Sequence, residues 1–187
     1  MANSARASTS QTFTIEDAVA AHRAGRLNEA AKAYQSLVEE NPRHFDALHL
    51  LGVVRTAQGQ SKDAVQLIKR ALKLNPRSVD GHYNLGVALD AAEQQQSAIT
   101  AYRQAIALNP QLAVAHNNLG VTLLKVKRYS DAIASLHKAI VLSDDYAEAH
   151  YNLGNVLIET GRHAEAVICF RKALALKPDY VDRKSVV

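Results

Sequence analysis

The same short pattern returns along this chain every 34 residues. His82-Tyr83-Asn84-Leu85-Gly86, His116-Asn117-Asn118-Leu119-Gly120 and His150-Tyr151-Asn152-Leu153-Gly154 are its clearest copies, and Leu48-His49-Leu50-Leu51-Gly52 is a fainter one. A fixed period of this size constrains the fold more than any other feature. One such unit cannot bury its own apolar face, so it must stack on its neighbours. Aligning the glycines divides the chain without insertions into five units, 11–44, 45–78, 79–112, 113–146 and 147–180. Positions within a unit are numbered 1 to 34 below.

Small residues recur where helices would cross. Position 8 holds Ala18, Gly52, Gly86, Gly120 and Gly154, and position 20 is alanine in all five units, Ala30, Ala64, Ala98, Ala132 and Ala166. Apolar residues recur at helical spacing in two blocks per unit, for unit four from about Ala113 to Val126 and from about Ser130 to Leu142. Two antiparallel helices approach closely only where the side chains between them are small. Position 27, mostly alanine, is expected to let the next unit settle on this one. Gly25, Gly59 and Gly161 at position 15 suit a left-handed residue ending the first helix. Glu93 and Lys127 stand there in units three and four, so those turns are expected to be strained or built differently. The Asn-Pro pairs at 41–42, 75–76 and 109–110 end the second helix, because proline has no amide donor and disfavours helix before it. Ser143-Asp144 breaks that pattern between units four and five.

The period, the Leu-Gly pair, the alanines and the terminal proline resemble the tetratricopeptide repeat across 170 residues. The resemblance implies an all-α, right-handed α-solenoid of five helix-turn-helix units, with first helices lining a concave groove and second helices outside. Unit one has Asp17-Ala18 in place of Leu-Gly, a departure that terminal repeats tolerate. Residues 1–10 read as a disordered leader, and 181–187 as the start of a further helix. In that reading the end of unit five is uncapped and could join another copy of the chain.

In the implied groove, Asn84, Asn118 and Asn152 at position 6 offer a donor and an acceptor each. A regular row of them could grip the backbone of an extended peptide, with Asn117 and Asn155 beside it and Tyr83 and Tyr151 giving apolar contact. The alternative, that these amides cap local groups or face water, stays open. The recurrent Ala-x-Ala-His-x-Asn-Leu-Gly at 113–120 and 147–154 further resembles the repeats of O-linked N-acetylglucosamine transferases and their bacterial relatives, in which an asparagine ladder holds substrate. That implies an alternative role as the recruiting arm of a glycosyltransferase, without its catalytic domain. A clamp for acidic chaperone tails needs basic residues at positions 2, 5 and 6, and neither Lys nor Arg stands at position 2 or 5 in any unit.

Chemistry is not expected of this chain. It shows no phosphate loop, no nucleophile elbow and no zinc-protease signature, so no catalytic, cofactor or metal residues are assigned. His82, His116 and His150 share position 4 of successive units, too far apart to ligate one metal together, and packing or partial solvent contact is expected. The single cysteine, Cys169, excludes an internal disulfide and reads as a small apolar helix residue. The net charge is +4, but Lys and Arg are spread over every repeat, which argues for solvated helix faces over nucleic-acid binding. No apolar run approaches the roughly 18 residues of a membrane span. The expected partner is a protein or peptide, and the expected compartment is the cytoplasm.

Overall fold

The computed structural model describes residues 13–178, so the expected leader and the expected further helix lie outside the described residues. Among those residues there are ten helices and no strand. They are α1 Ile15–Arg23, α2 Leu27–Glu40, α3 Phe45–Ala57, α4 Ser61–Leu74, α5 Val79–Ala91, α6 Gln95–Leu108, α7 Ala113–Lys125, α8 Tyr129–Leu142, α9 Ala147–Glu159 and α10 His163–Leu176. Each odd helix pairs with the even helix after it, and each even helix packs on the next odd one.

The close crossing at position 8 has a specific cause. A Cβ on Gly52 would stand 2.5 Å from Ile68 Cγ1, one on Gly86 2.5 Å from Tyr102 Cε1, one on Gly120 2.6 Å from Leu136 Cγ, and one on Gly154 2.5 Å from Phe170 Cε1. The glycine therefore makes room for the large residue at position 24. The alanine at position 20 contributes its backbone to the same contact, with the Ala64 and Ala132 carbonyls 3.2 Å from that Cβ place. Every position-20 alanine is fully buried. Leu51, Leu85, Leu119 and Leu153 at position 7 are buried beside the crossing. Removing such a side chain costs about 2–5 kcal/mol in typical cores.

Unit one departs from the pattern for a local reason. Its first helix begins four residues later in the repeat than the others, at Ile15, with Thr14 as N-cap. Asp17 occupies the place of the position-7 leucine and completes a capping box, its carboxylate accepting from the Thr14 amide while Thr14 Oγ1 accepts from the Asp17 amide. Those hydrogen bonds hold the Asp17 carboxyl below its ordinary value.

All five intra-unit turns share one backbone. The position-15 residue has positive φ in each, 72° at Gly25, 76° at Gly59, 57° at Glu93, 60° at Lys127 and 75° at Gly161. The amide that follows it bonds back to the helix, as Arg26 to the Ala21 carbonyl and Arg128 to the Leu123 carbonyl. Units three and four thus use the same turn as the rest, and they place an L side chain in a region that disfavours one. Nothing lies within 4 Å of a Cβ at the three glycines of this position, so the cost at Glu93 and Lys127 is conformational, not steric crowding.

The connections between units also repeat. Asn41, Asn75 and Asn109 each cap the turn, accepting at Oδ1 from the amide two residues on. At the exceptional connection Ser143 Oγ donates to Asp145 Oδ1 instead, and α9 starts in the same register as α3, α5 and α7. The position-4 histidines lock these connections. Through Nε2, His82 donates to the Pro76 carbonyl (2.9 Å), His116 to that of Pro110 (3.1 Å) and His150 to that of Asp144 (3.0 Å). Their role is a hydrogen bond to the turn six residues back, which is more specific than the packing role expected from the sequence.

Candidate functional site

The stack curves toward its first helices. α3 touches α5, α5 touches α7 and α7 touches α9, whereas no second helix packs comparably on another second helix among the described residues. The first helices therefore form the inner face, and positions 5, 6, 9, 12 and 13 line it.

Positions 5 and 6 are occupied with each other. Asn84 Nδ2 donates to His49 Nε2 (2.9 Å), Asn118 Nδ2 to the Tyr83 hydroxyl (3.2 Å) and Asn152 Nδ2 to Asn117 Oδ1 (2.9 Å). Each bond joins position 6 of one unit to position 5 of the unit before. Asn117 Nδ2 also donates to Asn118 Oδ1 (3.2 Å). Asn117 is fully buried and Asn152 is 7% exposed, while Asn84 and Asn118 are half-buried. The asparagine row exists, but one amide hydrogen of each member bonds the neighbouring first helix. Tyr83 and Tyr151 are half-buried against the position-24 rings of Tyr102 and Phe170, with centroids 6.1 and 5.4 Å apart. Burial raises the Tyr83 and Tyr102 hydroxyls above the ordinary phenol value, so both stay protonated donors.

One turn further along the first helices the face opens. A cavity of about 250 Å³ between α5 and α7 is lined by Val87, Asp90, Ala91, Tyr102, Asn118, Val121 and Lys125. A second, of about 350 Å³, lies between α7 and α9 beside Leu124, Lys125, Lys127, Tyr129, Asn155, Ile158 and Glu159. Lys125 borders both and reaches back to Asp90 Oδ2 at 2.6 Å. Asn155 is half-buried in the second cavity. Among the seven site residues expected from the sequence, it and Asn118 line these cavities.

The other principal lining residues, Val87, Asp90, Tyr102, Val121, Lys125, Leu124 and Ile158, were not singled out by the sequence reading. A signal for some of them existed. Position 12 runs His22, Thr56, Asp90, Leu124, Ile158 and position 13 runs Arg23, Ala57, Ala91, Lys125, Glu159. These positions vary while the packing positions around them repeat, as expected where side chains answer to something other than the next unit.

Among the described residues no three His, Cys, Asp or Glu side chains come together as a metal site, and no helix is long and apolar enough to cross a membrane. Cys169 is half-buried in α10, and burial pushes its thiol above the ordinary value.

Five helix pairs stacked with one inner row of first helices define an α-solenoid of helix-turn-helix repeats. The chain belongs to the tetratricopeptide-repeat family: sequence profiles of that repeat match residues 17–59, 54–113 and 111–179. The structure is similar to that of MamA, at 28% identity and a TM-score of 0.79 over 91% of this chain and 98% of that one. MamA from Desulfovibrio magneticus RS-1, residues 41 to its end, superposes with a TM-score of 0.80 at 22% identity over 88% and 93% of the two chains. YrrB, described as a TPR protein with an unusual peptide-binding site, does so with 0.73 at 22% identity over 92% and 90%. No curated protein sequence matches the chain.

Proposed function

We propose that this protein is an interaction scaffold that holds an extended peptide segment along its inner face. The observation that carries the reading is the pair of adjacent open cavities between α5, α7 and α9, which combine apolar walls with a few polar groups. That mixture suits side-chain recognition. The contacts lie at positions 9, 12 and 13, Asn155 among them, with Asn118 of position 6 beside them. Asn84, Asn117 and Asn152 support the groove from behind. The chain acts by binding, and no residue in it is assigned a catalytic role.

A random peptide library displayed against the chain tests this. Selected peptides should lose binding to Val121→Trp, which fills the groove, and keep it with Arg103→Glu on the outer face. Peptides that ignore Val121→Trp and respond to the outer substitution would overturn the reading. A glycosyltransferase recruiting arm would use Asn84, Asn118 and Asn152 as substrate rungs. One amide hydrogen of each is already committed between units and Asn152 is 7% exposed, so we favour the general scaffold.

Self-assembly is a second reading, favoured by α10. Val167 and Leu174, seven residues apart on one face of α10, are each 45% exposed and the adjacent Ile168 is 67% exposed, and exposed apolar surface of this kind marks association sites. Light scattering over a dilution series should show an oligomer that Ile168→Asp dissociates. A monomer at every concentration would refute it.

A further inference from the structure

We infer that the segment held along the inner face is basic, its Lys and Arg side chains meeting a row of carboxylates at position 2 of the repeat. The inference rests on the peptide-groove reading above and names the charge of its ligand.

Position 2 stands three residues before position 5 and seven before position 9, so it belongs to the same face of the first helix. It holds Asp46, Asp80, Val114 and Glu148 in units two to five. Asp46, Asp80 and Val114 are exposed and Glu148 is half-buried. The carboxylates stand close to the position-5 side chains of this face. The charges of Asp46 and Asp80 both act on the His49 ring, and that of Glu148 acts on the Tyr83 hydroxyl two units away. Among the described residues none of the three is in an ion pair. The cations at the far end of the first helices differ. Lys125 is held by Asp90, Arg128 by Asp131 and Arg162 by Glu165. Arg23 at position 13 and Lys127 beside the second cavity have no such carboxylate, and Glu159 beside the same cavity has no cation. The inner face therefore carries a surplus of negative charge, although the chain as a whole is +4.

Helix formation does not account for the row. Asp46, Asp80 and Glu148 lie in the first turns of α3, α5 and α9, where a carboxylate complements the helix dipole. Yet α7 has the same length as these helices and forms with Val114 at that place. The first-turn carboxylates of α8 and α10, Asp131 and Glu165, are neutralised by an arginine, and those of position 2 are not. A single metal ion does not answer them either, since they stand on three different helices and no metal grouping forms among the described residues. A segment bearing several cations does. Val53, Val87 and Val121 at position 9 are half-buried on the same face. Lys and Arg are suited to such a surface, because their aliphatic stems cover apolar side chains while the charged heads reach carboxylates beyond them.

The test uses fluorescein-labelled peptides that share one length and one set of apolar residues and carry Lys, Glu or Gln at every polar place. Fluorescence anisotropy at low salt should show the Lys peptide bound and the other two not, with binding that weakens as salt is raised. The net charge of +4 would by itself draw the Glu peptide, so a preference for Lys has to come from the groove. Binding should be lost with Val121→Trp and weaken about tenfold when Asp46→Asn, Asp80→Asn and Glu148→Gln are combined. Asp80→Lys with Glu148→Lys should turn the preference to the Glu peptide. Circular dichroism checks that each variant folds, and Asp80→Asn alone, with a smaller loss, keeps the test decisive if the combined variant does not. The inference is overturned by a Lys peptide that fails to bind or that binds the folded variants as well as the native chain. Equal binding by the Glu or Gln peptide overturns it too. Library-selected peptides that obey Val121→Trp yet carry no excess of Lys and Arg would overturn it while leaving the groove reading standing.

Discussion

At the scale of single residues, the asparagine row shows how one sequence signal serves two readings. Asn84, Asn118 and Asn152 are legible from the period alone, but their partners are not. His49, Tyr83 and Asn117 at position 5 are three different side-chain types that each accept a hydrogen bond here. A carboxamide that donates to three different acceptors leaves no common pair in the sequence. Replacing Asn152 by Ala should cost about 1–3 kcal/mol in urea unfolding, because Asn117 Oδ1 is then buried without its donor. Asn84→Ala, at a half-buried bond, should cost less. Protonation enters through the same row. Burial holds His49 below the ordinary imidazole value, with Asp80 opposing in part, and burial likewise lowers His116 despite the Pro110 carbonyl. The folded chain therefore keeps both neutral where the unfolded chain begins to take up protons. Their stabilisation is whole above the unfolded value near 6.5 and is lost as pH falls below it. A proton on His49 Nε2 also removes the acceptor for Asn84. Thermal unfolding should drop between about pH 7.5 and about pH 5.5, and less steeply in His49→Gln.

At the scale of elements, the helices were legible because apolar periodicity and punctuation agree in almost every unit. The blocks read for unit four differ by one residue from α7 and α8. The start of α1 was missed, because Asp17 was compared with the leucines of position 7 while it acts as a capping carboxylate. At Glu93 and Lys127 the sequence left strain and a different build open, and the strained form is the one found, since backbone φ is set by the helix pair and the side chain only tolerates it. Lys127→Gly should therefore stabilise the chain by up to about 1 kcal/mol, the relief of left-handed strain exceeding the added freedom of the unfolded chain. Gly120→Ala should destabilise it by about 1–3 kcal/mol, because the new methyl meets Leu136 at 2.6 Å and the Ala132 carbonyl at 3.2 Å. The two substitutions, followed by thermal unfolding, separate a glycine needed for space from a site where glycine would only ease the backbone.

At the scale of the whole molecule, the solenoid follows from the period, but the binding face does not. The repeat determines how units stack, and positions 12 and 13, where Asp90, Lys125 and Ile158 stand, are marked in the sequence only by their variation from unit to unit. The core is divided in the same spirit. Its buried residues form two clusters that meet in α4, with Ala71 in one and Ala64, Val65, Ile68 and Leu72 in the other. The position-6 bonds, the histidine locks and the helix contacts join each unit only to the one beside it. This makes the array editable. Excising residues 79–112 and splicing Ser78 to Ala113 leaves the numbering of positions intact across the seam. His116 then meets the Pro76 carbonyl in place of that of Pro110, and Asn118 meets His49 in place of Tyr83. A four-unit protein with unchanged helicity per residue by circular dichroism is the expected product, whereas a deletion one residue longer or shorter should unfold at the splice. The tolerated quantum of length change in this chain is a whole unit.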